Sequence, residues 1–159
     1  MTKRFLTRVV APVIAVVLIL GGASMAFGKQ VVLFSAVSGK LIDAAGNPQA
    51  GVRIERKWDW KGSPKSDETV TGEDGTFQFP EVNDRSIMAS VLPHEPVIGQ
   101  DMIAHGPNGP VNIWGHTKHS YDANTELDGR PLNLSCRIDK EPSDDGLYWG
   151  TCVEWKTGD

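Results

Sequence analysis

From about residue 30 onward, apolar and polar residues alternate one by one. No stretch keeps apolar residues at helical spacing for three turns, and turn signals recur every ten residues or so, the pattern of short strands. Val31–Phe34 and Val37–Ile42 are the first two. Asp43 to Pro48 combines Asp, Gly, Asn and Pro and reads as a turn. Between Gly51 and Trp60, Val52, Ile54, Trp58 and Trp60 share one face, while Arg53, Glu55, Lys57 and Asp59 share the other. That is a strand with one buried and one wet side. Arg56 falls among the apolar set, where it snorkels, stacks on a Trp or marks the strand's edge. Lys61–Asp67 reads as a polar loop, Glu68–Thr71 as a short strand and Glu73-Asp74-Gly75 as a tight turn. Thr76–Phe79 alternates again, with Phe77 and Phe79 inward. Ser86–Leu92 is a further strand candidate. Pro93–Pro110 lacks a long alternating run and reads as an excursion, with short strands at Pro96–Ile98 and Val111–Trp114. About seven or eight short strands predict an all-β, two-sheet antiparallel β-sandwich.

Near the C-terminus, Leu132–Ile138 and Leu147–Trp155 both alternate, and the turn-rich stretch Asp139–Gly146 separates them. This predicts a disulfide hairpin over 132–155. Setting position 140 opposite 148 places Cys136 opposite Cys152, at a cross-strand spacing of about 4.5 Å that a disulfide can bridge. The other reading of the pair, a redox-active or metal-binding site, lacks a Cys-x-x-Cys spacing.

The first residues follow a different pattern. Lys3, Arg4 and Arg8 precede an uncharged apolar run from Val9 to Leu20, and small residues follow up to Ala26. A basic start, an apolar middle and small residues at positions 24 and 26 make a secretory signal, with cleavage expected after Ala26. Residues 1–26 are then a signal peptide and 27–159 a single domain. The alternative is an uncleaved anchor in the inner membrane, since no charge occurs between Arg8 and Lys29. Membrane contact is expected only in that case. Either route leads out of the cytoplasm, to a periplasmic or secreted protein, where a disulfide is permitted.

Composition sharpens this reading. The whole chain carries 16 Lys and Arg against 20 Asp and Glu. Losing the three bases of the signal leaves 13 against 20, a net charge of −7. Such a surface gives no footprint for nucleic acid. The 17 Gly and ten Pro fit a turn-rich β fold.

Two segments carry a resemblance. One runs Val37-Ser38-Gly39-Lys40-Leu41-Ile42-Asp43 and then Gly46-Asn47-Pro48-Gln49-Ala50-Gly51-Val52-Arg53-Ile54. The other is Thr69-Val70-Thr71-Gly72-Glu73-Asp74-Gly75-Thr76-Phe77-Gln78-Phe79-Pro80. Residues 37–80 thereby resemble the carboxypeptidase regulatory-like domain, a transthyretin-like β-sandwich of about seven strands. The resemblance implies that fold within a family of small exported bacterial proteins. It also implies a non-catalytic habit, because that domain accompanies enzymes and does not perform their chemistry. The second half of the chain departs from it.

Candidate chemistry is sparse. His105, His116 and His119 are the candidates for a metal site, with no fixed ligand spacing among them. No Gly-x-Ser-x-Gly elbow occurs. The aromatic residues say more. Trp58 and Trp60 on one strand, flanked by Arg56 and Lys57, have the composition of a protein-binding hot spot or a sugar-stacking face, or else of a core strand. The expectation is a non-catalytic exported binding or accessory module without a cofactor, whose partner is an envelope protein or a surface polymer. One alternative is a periplasmic immunity protein against a delivered toxin. Another is a metal-dependent enzyme built on the loop histidines.

Overall fold

The computed structural model describes residues 28–91, 94–144 and 148–155. The N-terminal segment read as a signal or anchor, with the junction expected after Ala26, lies outside these residues. The strands are β1 (Lys29–Phe34), β2 (Val37–Ile42), β3 (Arg53–Trp60), β4 (Ser63–Val70), β5 (Thr76–Phe79) and β6 (Val82–Ser86). A single helical turn α1 (Met88–Val91) follows. Then come β7 (Ile98–Gly106), β8 (Gly109–Lys118), a 3-10 turn (Thr125–Leu127), β9 (Leu132–Arg137), β10 (Ser143–Asp144), β11 (Trp149–Gly150) and β12 (Cys152–Glu154). No helix among the described residues is long and apolar enough to cross a membrane.

The architecture is all-β with three sheets, where the sequence pattern predicts two. A six-stranded sheet runs β10-β11-β8-β7-β3-β4, a four-stranded sheet β12-β9-β2-β5, and β1 pairs with β6 apart from both. Pairing is antiparallel except between β2 and β9, which run parallel. One core joins the sheets: Ile54, Met102 and Trp114 from the six-stranded sheet, Leu41, Phe77 and Leu134 from the four-stranded sheet, and Val31 and Phe34 from β1. Gly39 of β2 is required there, because a Cβ would lie 2.3 Å from the Phe77 ring.

Several expectations change. The stretch read as a polar loop at Lys61–Asp67 is mostly the edge strand β4, paired with β3 from Ser63 opposite Trp60 to Val70 opposite Arg53. The two-residue hairpin turn is Lys61-Gly62, both left-handed at φ 57° and 69°. Glu73-Asp74-Gly75 instead forms a corner between sheets. There only Gly75 is left-handed, and a Cβ on it would meet the Leu41 carbonyl at 2.6 Å. The strand expected over Ser86–Leu92 is not formed in its described part: β6 ends at Ser86, whose hydroxyl accepts from the Ala89 N–H as α1 begins, and Leu92 lies outside the described residues. The excursion read at 93–110 holds the long strand β7, which pairs with β8 and lies near the middle of the largest sheet.

The C-terminal hairpin has the expected register and a different path. Cys136 lies opposite Cys152, their Cα atoms 3.9 Å apart, and they form a disulfide. The intervening chain leaves the four-stranded sheet, so that β10 and β11 add to the six-stranded one. It returns at Gly150-Thr151. A Cβ at Gly150 would come within 2.3 Å of the Ile113 carbonyl oxygen, so only glycine permits the crossing.

Candidate functional site

The four residues singled out around Trp58 do not form one exposed surface. Arg56 is fully buried. Its guanidinium forms a fork with the Asp67 carboxylate and donates from Nη1 to the Pro80 carbonyl at 2.8 Å. Phe79, Phe34 and Trp58 surround it, with ring centroids 4.5, 5.1 and 5.7 Å away. Of the three readings open for Arg56, stacking on aromatic rings is the one realised. Trp58 is also buried. Trp60 is half-buried, edge-on to Tyr121 at 6.0 Å, with the Lys61 ammonium 3.8 Å above its ring. A small cleft of about 190 Å³ lies between these Trp side chains, Leu33 and Lys65. Lys57 points to the opposite, outer face of the sheet and pairs with Glu55 at 3.4 Å.

His105 is held apart from the other two histidines, which line one cleft of about 260 Å³. His105 Nε2 contacts Glu55 at 3.3 Å. His116 lies opposite Gln100, five positions along β7 from His105 and so roughly 17 Å away at strand rise. His119 Nδ1 contacts Glu95 at 3.2 Å. Among the described residues, no group of three His, Cys, Asp or Glu side chains converges as metal ligands would.

The pattern of the sequence gives no hint of a buried ionic cluster. The Lys118 ammonium donates to Glu126 Oε2 at 2.8 Å and to the Asp122 carbonyl at 2.7 Å. Glu126 also accepts from the Ser35 hydroxyl at 2.8 Å, the Ser35 N–H at 3.0 Å and Gln100 Nε2 at 3.0 Å. Ser35, Gln100, Lys118 and Glu126 are all buried. Burial pushes the Glu126 carboxyl up, but hydrogen bonds from Lys118, Gln100 and Ser35 outweigh it and hold the group below its ordinary value. Burial also pushes the Lys118 ammonium below its ordinary value, against the pull of Glu126. The cluster fastens the 3-10 turn and β1's end to the six-stranded sheet, and its closed surroundings fit a structural role.

A groove opens on the outer face of the six-stranded sheet. It measures about 520 Å³, and Gly99, Asp101, Gly115, Thr117, Tyr148 and Trp149 help to line it. Gly99 faces Thr117 and Asp101 faces Gly115 across β7 and β8, so two glycines sit diagonally in the floor. Trp149 of β11 lies beside Gly115, and Asp59 of β3 lies beside Gly99. Trp149 is 49% exposed. Asp101 is positioned by Asn112, whose Nδ2 donates to Oδ1 at 3.1 Å. Tyr148 turns the other way and stacks on Trp114 at 4.2 Å. The arrangement offers an open aromatic face, a recessed floor and an oriented carboxylate. Sequence reasoning missed it because β7 beyond Ile98 and the end of β8, from Gly115 onward, were not read as strands. Two glycines outside any turn were the available signal.

Comparison with known protein families matches residues 37–141 to DUF6795, a domain of unknown function. The matched stretch includes Gly99, Asp101 and Gly115 and stops short of Trp149. No curated protein and no solved structure matches the chain.

Proposed function

This chain belongs to the DUF6795 family, and we propose that it is a non-catalytic binding module exported to the bacterial envelope. Its partner is an envelope protein or a surface polymer. One observation carries this reading: the half-exposed Trp149 beside a groove with glycines in its floor, on the outer face of the largest sheet. Exposed aromatic residues at a concave site supply much of the contact energy in recognition. The resemblance of residues 37–80 to the carboxypeptidase regulatory-like domain, a transthyretin-like sandwich, supports the non-catalytic part. The signal-like start supports export.

The experiment is a pull-down from the organism's own envelope extract with the chain beginning at Phe27, alongside Trp149→Ala. The expected result is a component retained by the parent chain and lost with Trp149→Ala. Equal retention by both, or by neither, overturns the reading. The immunity-protein alternative keeps one supporting observation, the net charge of −7 after signal removal. An acidic surface accelerates encounter with a basic toxin. Capture of a basic toxin added to that extract, in place of an envelope component, would select it.

A further inference from the structure

Two glycines in the groove floor are not explained by the fold. Gly99 and Gly115 lie inside β7 and β8, and neither is left-handed. A Cβ at Gly115 would meet Asp101 Oδ1 at 3.4 Å and Trp149 Cβ at 3.6 Å, and one at Gly99 would meet Asp59 Cβ at 3.9 Å. These are ordinary contacts, unlike the 2.3 Å clashes at Gly39 and Gly150. Glycine in a strand interior weakens the strand relative to alanine, and it often marks a close approach by a ligand or another backbone. Gly115 sits beside Trp149 and the carboxylate held by Asn112, and Gly99 lies diagonally from it in the same floor.

We propose that this groove binds a neutral saccharide chain, with one sugar ring stacked on Trp149 over the glycine floor and its hydroxyls donating to Asp101. The inference rests on the binding-module reading and names the ligand class. A pyranose has a flat C–H face bordered by hydroxyls. An indole face accommodates the former, and a carboxylate with two acceptor oxygens takes the latter. Asp101 keeps acceptor capacity beyond the bond from Asn112. The volume of about 520 Å³ lies within the usual range for ligand clefts. Asp59, Asp101 and Asp144 around the groove disfavour an anionic polymer.

The test is a titration of the chain from Phe27 with cellotetraose, tetra-N-acetylchitotetraose and tetragalacturonate, followed through the indole N–H signals by NMR. Saturable perturbation of the Trp149 signal by a neutral tetramer is expected, with none from tetragalacturonate. Trp149→Ala should weaken binding, read by calorimetry, about tenfold or more. Gly115→Ala should raise the melting temperature while weakening binding, which separates occlusion of the groove from misfolding. No perturbation by either neutral sugar, or binding unchanged in both variants, overturns the saccharide assignment. If the sugars fail while the pull-down still yields a Trp149-dependent partner, the binding-module reading stands without it. If both fail, both fall.

Discussion

A guanidinium with no exposed surface must satisfy its donors inside the protein. Arg56 does so with a carboxylate, a carbonyl and aromatic faces drawn from all three sheets: Trp58 on its own strand, Phe79 on β5 and Phe34 on β1. Lysine cannot reproduce the fork, so Arg56→Lys is not conservative here. Arg56→Ala should cost about 3 kcal/mol in urea unfolding, the lower end of the range for a broken buried pair. Asp67 moderates the loss because its side chain is 36% exposed and can rehydrate. Glu126 has no such outlet. Its folded carboxyl is held below the ordinary value of 4.5, so the unfolded chain binds a proton more readily. The sign follows: this stabilisation is present above the ordinary value and is lost as pH falls through the lowered one. Asp43, Asp74 and Asp139 are also held low by hydrogen bonds and titrate in the same direction. The discriminating measurement is therefore a difference. Stability of the parent chain should fall more steeply below about pH 4.5 than that of Glu126→Gln. Parallel curves would show that Glu126 does not drive the acid response.

At the scale of elements, the disulfide does more than close a hairpin. It ties β9 to β12 while the chain between them crosses to the other large sheet and back. With a sequence separation of 16 between the cysteines, the chain-entropy relation gives about 3 kcal/mol of stabilisation. Cys136→Ala should lower the melting temperature under oxidising conditions, and an unchanged value would mean that the bridge contributes nothing. The cysteine register was legible because both flanking segments alternate strictly. So were β2, β3 and β5, each with apolar residues on one face. The first half of β4 was not, because Ser63–Ser66 are all exposed and nothing there alternates; only its end was legible, as the short strand read at Glu68–Thr71. Nor was β7. Its inward positions are Ile98, Gln100, Met102 and Ala104, and polar Gln100 interrupts the apolar series to reach Glu126. Half-buried Ile103 on the other face blurs it further. The same masking hid the groove. Trp58 and Trp60 stood out by spacing and proved to be wall and core, whereas Trp149 sat among the residues of an expected hairpin. Only the pairing of β11 with β8 brings it beside Gly115.

The whole molecule is tied together by side chains that belong to more than one sheet. Arg56 contacts rings from all three, and Glu126 joins Ser35, next to β1, to Gln100 and Lys118 of the six-stranded sheet. Sheets that share buried charges cannot separate without exposing those charges unpaired, so the domain should unfold as one unit. This bears on maturation as well. The first strand begins at Lys29, and the first core residue among those described is Val31. The Lys29 N–H is already fixed by the Ser90 hydroxyl at 2.7 Å. Cleavage after Ala26 therefore leaves every described strand whole. The chain begun at Phe27 should fold alone, with far-ultraviolet circular dichroism and Trp fluorescence giving one coincident midpoint. Intact-mass analysis of the envelope fraction should find a protein starting at Phe27. Full-length chain confined to the membrane fraction would instead establish an anchored protein, and separate midpoints would show that the three sheets are less coupled than their shared side chains require.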